Sequence, residues 1–386
     1  MTFKKTILFL HRWLGFISGL VVVIVSITGC IFCFQDEIQD AMHSYRRVQP
    51  QAVSYLEPSL IKATALKDHP GATASYIYYY GKDRPAVVLA NLDKDGLNYI
   101  YLNPYSGKIL HSENVQSNFF TVVEYIHLYL LLPPRIGQMV VGVSVLVFLI
   151  LMITGIILWW PKRKTDRKRS FTIKWGARWR RVNYDLHNVL GFYATSIAVI
   201  LAITGLSIAF QWVTNGIYNA ANLGKSYPYE KLEPKSDTTH SLSPGEPVID
   251  HAFNVARQQS PLAQMFLIYD PAGKTEAVGI TAYAQSLHFY KNDAYSFDQF
   301  SGKLLKRLPH TQKSNGMKLN AMNYDIHVGQ IWGLPGKILA FITSLICASL
   351  PVTGFIVWLG KRKKPQKKVT IKNIAHRKTH ARLTAH

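Results

Sequence analysis

The sequence has few cysteines. Only Cys30, Cys33 and Cys347 occur, each inside a long apolar stretch, so disulfides cannot hold the polar segments together. The absence of a C-x-x-C-H run excludes the usual covalent attachment of haem, and the absence of G-x-G-x-x-G excludes the usual dinucleotide-binding fingerprint. Cys30 and Cys33 have a spacing found in redox and metal motifs. We interpret them as small apolar side chains, because free cysteine is commonly buried.

Charged residues are missing from four apolar stretches, which cover residues 13–34, 136–160, 186–213 and 338–360. Each stretch exceeds the roughly 20 residues that a helix needs to cross the hydrocarbon core of a bilayer. A soluble core rarely hides four such helices, so the sequence predicts an integral membrane protein with four transmembrane helices. The first stretch is longer than the apolar part of a signal peptide and lacks a cleavage site, so we interpret it as a retained helix.

Acidic residues are almost absent from three segments, 1–12, 161–181 and 361–386. These segments hold 23 of the 44 Lys and Arg residues against one acid, Asp166, and so account for the whole net charge of +22. Four spans place all three segments on one side of the membrane, which the positive-inside rule assigns to the cytoplasm. The sequence therefore predicts cytoplasmic N and C termini and contact with membrane lipid, and it gives no support for nucleic-acid binding.

The chain matches itself in two regions, each with its own nearly constant offset. The first and third stretches correspond at an offset of 176 residues, and the second and fourth at 199 to 200. This pattern indicates a duplication, with the two halves forming a parallel two-fold repeat about an axis along the membrane normal. The matched pairs include Leu10-His11 with Leu186-His187, Thr28-Gly29 with Thr204-Gly205, Ile126-His127 with Ile326-His327, and Thr154-Gly155 with Thr353-Gly354.

The segments between the spans are long enough to fold. Runs at 76–80, 86–89, 99–102 and 278–283 predict strands, and runs at 60–66 and 248–258 predict helices. We expect two small α+β units on the side opposite the basic segments. The predicted division is 1–35 (first transmembrane helix), 36–120 (first outer domain), 121–161 (interfacial segment and second transmembrane helix), 162–184 (basic loop), 185–213 (third transmembrane helix), 214–320 (second outer domain), 321–360 (interfacial segment and fourth transmembrane helix) and 361–386 (basic tail).

Four of the fourteen histidines lie at the ends of spans and belong to matched pairs. His11 and His187 precede Gly29 and Gly205 by the same 18 residues, so both lie at the same depth near the cytoplasmic side. His127 and His327 lie at the other depth. A two-fold axis would bring His11 to His187 and His127 to His327.

Each histidine pair can supply the two axial ligands of one haem iron. We therefore predict two b-type haems with bis-histidine ligation, a state suited to electron transfer because no coordination site stays open. Zinc is a poorer candidate, since each level lacks nearby Cys, Asp or Glu to complete four ligands. Arg12 on the cytoplasmic side and Lys337 on the outer side are among the cations available to pair with haem propionates.

The sequence resembles the PepSY-associated transmembrane family, which includes iron-regulated membrane proteins and inner-membrane ferric-siderophore reductases. The resemblance covers nearly the whole chain and is carried by His11-Arg12-Trp13-Leu14-Gly15, Asp185-Leu186-His187, Ile126-His127 and Ile326-His327-x-Gly329. It implies a bacterial inner-membrane protein with two periplasmic α+β PepSY-like domains.

The resemblance also implies a function, in which haem passes electrons across the membrane to a ferric siderophore in the periplasm and ferrous iron is released. Because the sequence shows no nucleotide or flavin motif, the electron donor would be separate, either quinol or a cytoplasmic reductase. Two alternatives stay open: an electron conduit to another periplasmic acceptor, and a haem-free membrane protein whose PepSY-like domains bind or regulate a partner. A transporter is disfavoured, because the spans contain no charged residue to form a path.

Overall fold

The computed structural model describes residues 2–161, 163–239 and 245–362. The basic tail predicted at 361–386 lies outside the described residues from position 363 onward. Among the described residues, four helical stretches are long and apolar enough to cross a membrane: Phe3–Cys33, Pro134–Trp159, Trp179–Ala209 and Gln330–Gly360.

The helices are, in chain order, α1 (Phe3–Cys33), α2 (Gln35–Met42), α3 (Pro58–Leu66), α4 (Phe119–Tyr129), α5 (Pro134–Trp159), α6 (Arg167–Phe171), α7 (Trp179–Asp185), α8 (Gly191–Ala209), α9 (Gln211–Ala221), α10 (Pro228–Lys231), α11 (Val248–Gln259), α12 (Asn315–His327) and α13 (Gly333–Arg362). The strands are β1 (Thr73–Tyr79), β2 (Ala86–Asn91), β3 (Leu97–Leu102), β4 (Ile109–Asn114), β5 (Met265–Tyr269), β6 (Val278–Gln285), β7 (His288–Phe297) and β8 (Leu304–Leu308). Short 3-10 turns occur at Ser44–Arg46, Asp93–Asp95, Val115–Ser117, Lys164–Asp166, His310–Gln312 and Gln330–Trp332.

The third spanning helix differs from its predicted range at both ends. Helix begins at Trp179, inside the stretch predicted as loop, and a π-helical turn at Leu186–Leu190 connects α7 to α8. At the other end the backbone becomes extended at Phe210, with φ −130° and ψ 119°, so the span stops at Ala209 although the apolar run continues. The predicted end at residue 213 was therefore too late, because hydrophobicity alone does not show where a helix changes direction.

The four spans pack around small and aliphatic side chains. Val22 of α1, Phe148 of α5, Ala198 and Ala202 of α8 and Cys347 of α13 form a buried cluster in the bundle. The small alanines allow close approach of neighbouring helices, as is usual where lipid provides no hydrophobic driving force.

The sheet joins both halves of the chain. All eight strands form one antiparallel sheet in the order β4-β3-β2-β1-β5-β6-β7-β8. The two halves meet where Tyr76 of β1 pairs with Tyr269 of β5 and Tyr79 pairs with Phe266. The sequence predicted two α+β units; the structure shows that their strands make one continuous surface.

The two faces of the sheet have different partners. Ile77 and Tyr79 of β1 point into a core that is closed by Ile61 of α3 and Phe253 of α11. Because strand residues alternate between faces, Tyr76 and its neighbours at positions 78 and 80 lie on the opposite face. That second face is turned toward α2, α4 and α12.

The turns predicted at 103–108 and 298–303 both form. In each, the first residue donates its N–H to the carbonyl of the last, and glycine adopts a positive φ, 71° at Gly107 and 70° at Gly302. Asp298 fixes the second turn. Burial alone would raise the pKa of Asp298, but N–H donors from Ser301 and Asp237 lower it to about 2.

Candidate functional site

Two histidine pairs form at opposite ends of the bundle, and each pair takes one member from each half of the chain. In the first pair, His11 of α1 faces His187 of the π-helical turn, with ring centres 6.4 Å apart. In the second pair, His127 of α4 faces His327 of α12 at 6.1 Å. The structure thus brings together the four predicted residues in the predicted combination. π-helical turns are common at functional sites.

The second pair is held by the helices that it contacts. Nδ1 of His127 bonds to the Val25 carbonyl at 2.9 Å, and Nδ1 of His327 bonds to the Leu201 carbonyl at 3.0 Å. Since a carbonyl only accepts, both Nδ1 atoms carry the proton. In both rings Nε2 is therefore unprotonated and keeps a free lone pair. This tautomer can bind a metal through Nε2.

The first pair has the same arrangement. Nδ1 of His187 bonds to the Leu350 carbonyl at 3.1 Å and to the Thr353 hydroxyl at 3.0 Å. Nδ1 of His11 bonds to the Thr154 hydroxyl at 2.8 Å. The Thr154 hydroxyl already donates to the Ile150 carbonyl at 2.9 Å, so it accepts from His11 and again leaves Nε2 unprotonated.

Each of the four histidine rings packs against its own Thr-Gly dipeptide. The threonine hydroxyl bonds to Nδ1, and the glycine next to it gives the ring space against the helix backbone. A side chain at the glycine would press on the imidazole. The distances from an added Cβ to the histidine Cε1 would be 3.3 Å for Gly29 and His127, 3.5 Å for Gly155 and His11, 3.0 Å for Gly205 and His327, and 3.1 Å for Gly354 and His187.

Sequence reasoning missed this role. The four dipeptides were used only as markers of the duplication, although each lies at the depth of a histidine carried by another helix. That coincidence of depth was the available signal. Each histidine lies on one helix and contacts a Thr-Gly dipeptide on another helix. A single sequence does not show which helices pack against each other.

The spacing of the rings fits a haem iron. Two metal–imidazole bonds of about 2 Å, each extended by about 1 Å to the ring centre, place the centres about 6 Å apart. The two observed separations agree with this value. Within the described residues, none of the four Nε2 atoms forms a hydrogen bond. The same residues contain no group of three or more His, Cys, Asp or Glu side chains that could hold a metal ion, so each histidine pair offers two protein ligands.

Arg12 provides a second observation that fits a haem. Its Nε is buried and lacks a hydrogen-bond partner within the described part of the chain, immediately after His11 in sequence. A carboxylate such as a haem propionate would satisfy this donor. Lys337, in contrast, already binds Glu37 at 2.8 Å.

An apolar cavity of about 260 Å³ lies against the second pair. Its walls come from α1, α4, α5, α8, α12 and α13, so all four spans enclose it. The lining includes His127, His327, Val25, Phe148, Leu206 and Cys347. A flat apolar cofactor held between the two histidines would lie inside the bundle, away from water.

The family model of the PepSY-associated TM region matches residues 8–361. The chain belongs to this family. No curated protein matches the chain. The family match and the four apolar helices identify this PepSY-associated TM protein as an integral membrane protein in contact with lipid.

The cysteines of this PepSY-associated TM protein are free and buried. The Cys33 thiol donates to the Val328 carbonyl at 3.1 Å, and the Cys30 thiol donates to the Phe341 carbonyl at 3.5 Å. The first bond links α1 to the C-terminal end of α12, and the second links α1 to α13. These are packing contacts between helices, in line with the interpretation of Cys30 and Cys33 as buried small side chains.

Proposed function

We propose that this PepSY-associated TM protein carries electrons across a bacterial inner membrane through two b-type haems and reduces a ferric siderophore in the periplasm. Each histidine pair would hold one iron. The single observation that carries the proposal is that both pairs combine a spacing of about 6 Å with an unprotonated Nε2 on every ring. In this proposal the basic segments face the cytoplasm and the sheet faces the periplasm.

Haem iron bound by two imidazoles exchanges single electrons without binding oxygen, because neither axial position is open. The protein residues orient the ligands. Carbonyls of Val25 and Leu201 fix the ring angle at the sheet end, and Thr353 and Thr154 do the same at the other end. These second contacts hold each imidazole in one tautomer and raise its basicity as a ligand.

The two pairs are separated by most of the membrane. His11 lies 17 residues before Thr28, the contact of His127. At a rise of 1.5 Å per residue this corresponds to roughly 26 Å along α1. One pair is therefore close to a donor on the basic side, and the other is close to an acceptor on the sheet side.

The donor in this proposal is a separate molecule, quinol or a cytoplasmic reductase. The acceptor is a ferric chelate, and one electron converts its iron to the ferrous ion. Oxygen ligands bind the smaller charge of ferrous iron more weakly, so reduction releases the metal.

The decisive measurement is a reduced-minus-oxidised absorption spectrum of the detergent-purified protein, together with a pyridine haemochrome assay. We expect about two haem b per chain with the low-spin bands of bis-imidazole ligation. Absence of haem after gentle purification would contradict the proposal and favour a binding or regulatory role. If haem is present, oxidation of the reduced protein by ferric chelates distinguishes a siderophore reductase from a conduit to another acceptor.

A further inference from the structure

A second cavity of about 340 Å³ lies between the sheet and the membrane helices. Its volume is within the range of roughly 300–1,000 Å³ that is usual for small-molecule sites. Its lining residues are all buried or half-buried. It is not used by the haem proposal above.

One wall of this cavity is a row of tyrosines. Tyr76, Tyr78 and Tyr80 alternate along the first strand and its end, and β3 adds Tyr99 and Tyr101. The strand register aligns them, because Tyr78 pairs with Val87 and Val87 pairs with Tyr101. The sheet therefore presents a set of phenol rings and hydroxyls on one face.

Two of these hydroxyls are available to a ligand. Within the described residues, neither Tyr78 nor Tyr80 has a hydrogen-bond partner for its hydroxyl, and their rings stack at 4.7 Å. Burial raises the pKa of both phenols, so both stay protonated and can donate. Neither hydroxyl is among the fully buried unpaired atoms of the described residues, so both reach open space, where a bound molecule can accept hydrogen bonds from them.

The opposite wall connects to the haem proposal. Phe32, Glu124 and Tyr324 line both this cavity and the apolar cavity of the second histidine pair. A molecule in the tyrosine-lined cavity would thus be one side chain away from the cofactor held by His127 and His327. This position is suited to an electron acceptor.

The charges around the cavity are balanced. Its described lining contains two cations, Arg46 and Arg84, and two acids, Asp36 and Glu124. Both cations are already paired: Arg46 binds Asp36 at 2.8 Å, and Arg84 binds Asp40 at 2.6 Å. A strongly anionic ligand would lose its hydration here and gain no free cation in return.

We propose that the tyrosine-lined cavity is the acceptor site and that it takes neutral ferric trihydroxamate chelates in preference to ferric tris-catecholates. This inference rests on the proposed function. Three hydroxamates cancel the charge of the ferric ion, whereas three catecholates leave the complex highly anionic. Hydroxamate oxygens can accept hydrogen bonds from Tyr78 and Tyr80, and the balanced charges disfavour the anion.

The test uses gallium(III) complexes, which have the charge and shape of the ferric complexes but cannot be reduced. Binding of a gallium trihydroxamate and of a gallium tris-catecholate to the full-length, haem-loaded protein is measured by calorimetry. We expect the trihydroxamate to bind at least tenfold more tightly. The double change Tyr78→Phe with Tyr80→Phe should weaken its binding about 20-fold, since it removes two neutral hydrogen bonds and keeps both rings.

Tyr79→Phe is the matched control. Tyr79 lies on the same strand, but its hydroxyl donates to the Leu56 carbonyl on the opposite face, at 2.8 Å. This variant should bind the trihydroxamate as tightly as the parent protein. Equal binding by the parent protein and the double variant, or tighter binding of the tris-catecholate, would overturn the site assignment.

The binding assay separates this inference from the proposed function. If gallium trihydroxamate binds through Tyr78 and Tyr80 but the reduced protein does not reduce the ferric complex, the cavity assignment stands and the reductase proposal fails. If the ferric complex is reduced at the same rate by the parent protein and the double variant, and gallium binding is unchanged as well, the acceptor binds elsewhere.

Discussion

Replacing Gly205 by Ala should remove the haem that we propose for the second histidine pair while leaving the helix intact. The added Cβ would lie 3.0 Å from Cε1 of His327, whereas carbon atoms in contact are about 3.5–4.0 Å apart. The ring has no easy way to move aside. Its Nδ1 is held by the Leu201 carbonyl at 3.0 Å and by the Thr204 hydroxyl at 2.9 Å.

The two effects of this change have opposite signs. Overpacking of this kind costs about 1–3 kcal/mol, which corresponds to roughly 5- to 150-fold weaker haem binding at the second pair. Alanine is also a better helix former than glycine, by about 1 kcal/mol in a helix interior. The helix gain offsets part of the overpacking cost, so the free energy of unfolding of the apoprotein should fall by no more than about 2 kcal/mol, while the haem content should fall from about two per chain to about one.

The assay combines haem counting by pyridine haemochrome with thermal unfolding in detergent. Gly216→Ala is the control, because an added Cβ there meets no atom of the described structure within 4 Å. Gly155→Ala provides a graded comparison, since its Cβ would make an ordinary contact of 3.5 Å with His11. The reasoning is refuted if Gly205→Ala retains both haems with an unchanged spectrum, or if Gly155→Ala loses more haem than Gly205→Ala.

Three further predictions follow from the same structure. His11→Ala and His187→Ala should each remove the same haem and His127→Ala the other, as shown by the spectra of the remaining cofactor; loss of different haems from the first two changes would disprove the pairing. Thr204→Val should weaken haem binding at the second pair about 10- to 100-fold, because it removes the hydroxyl that orients His327. The rate of haem transfer to an apoprotein acceptor measures this loss, and an unchanged rate would show that the hydroxyl contributes nothing. Asp298→Asn should destabilise the sheet by about 2 kcal/mol near neutral pH, where the carboxylate is charged. Its native pKa of about 2 is below the ordinary 3.8, so the stabilisation is present above pH 4 and lost as the pH falls through 2. The difference in unfolding temperature from the parent protein should shrink over that range, and a pH-independent difference would contradict the assignment.

Much of the architecture followed from periodicity and charge. The four uncharged stretches predicted the four spanning helices, and the strands at 76–80, 86–89, 99–102 and 278–283 all appear in the sheet. These elements depend on local pattern, which a single sequence contains. The pairing of His11 with His187 was predicted from the internal match of the sequence, because matched residues of two equivalent helices would lie at the same depth.

Other features depend on contacts between distant segments. Nothing in the alternation of β1 or β5 indicates that these strands pair with each other, since both are apolar and nearly 200 residues separate them. The π-helical turn that carries His187 has no sequence signal comparable to a cap or a proline. The run at 76–80 predicted a strand but not what its second face contacts, and only the positions of α4 and α12 show that its tyrosines line a cavity.

The crossing of the halves within each histidine pair has a consequence for assembly. A chain that ended before α7 would contain His11 and His127, one member of each pair, and could complete neither. Two such half-chains would have to meet, and the yield of complete pairs would then depend on their concentration. In the fused chain the partner is always present at a fixed effective concentration, so both pairs form from a single molecule however dilute the protein is in the membrane.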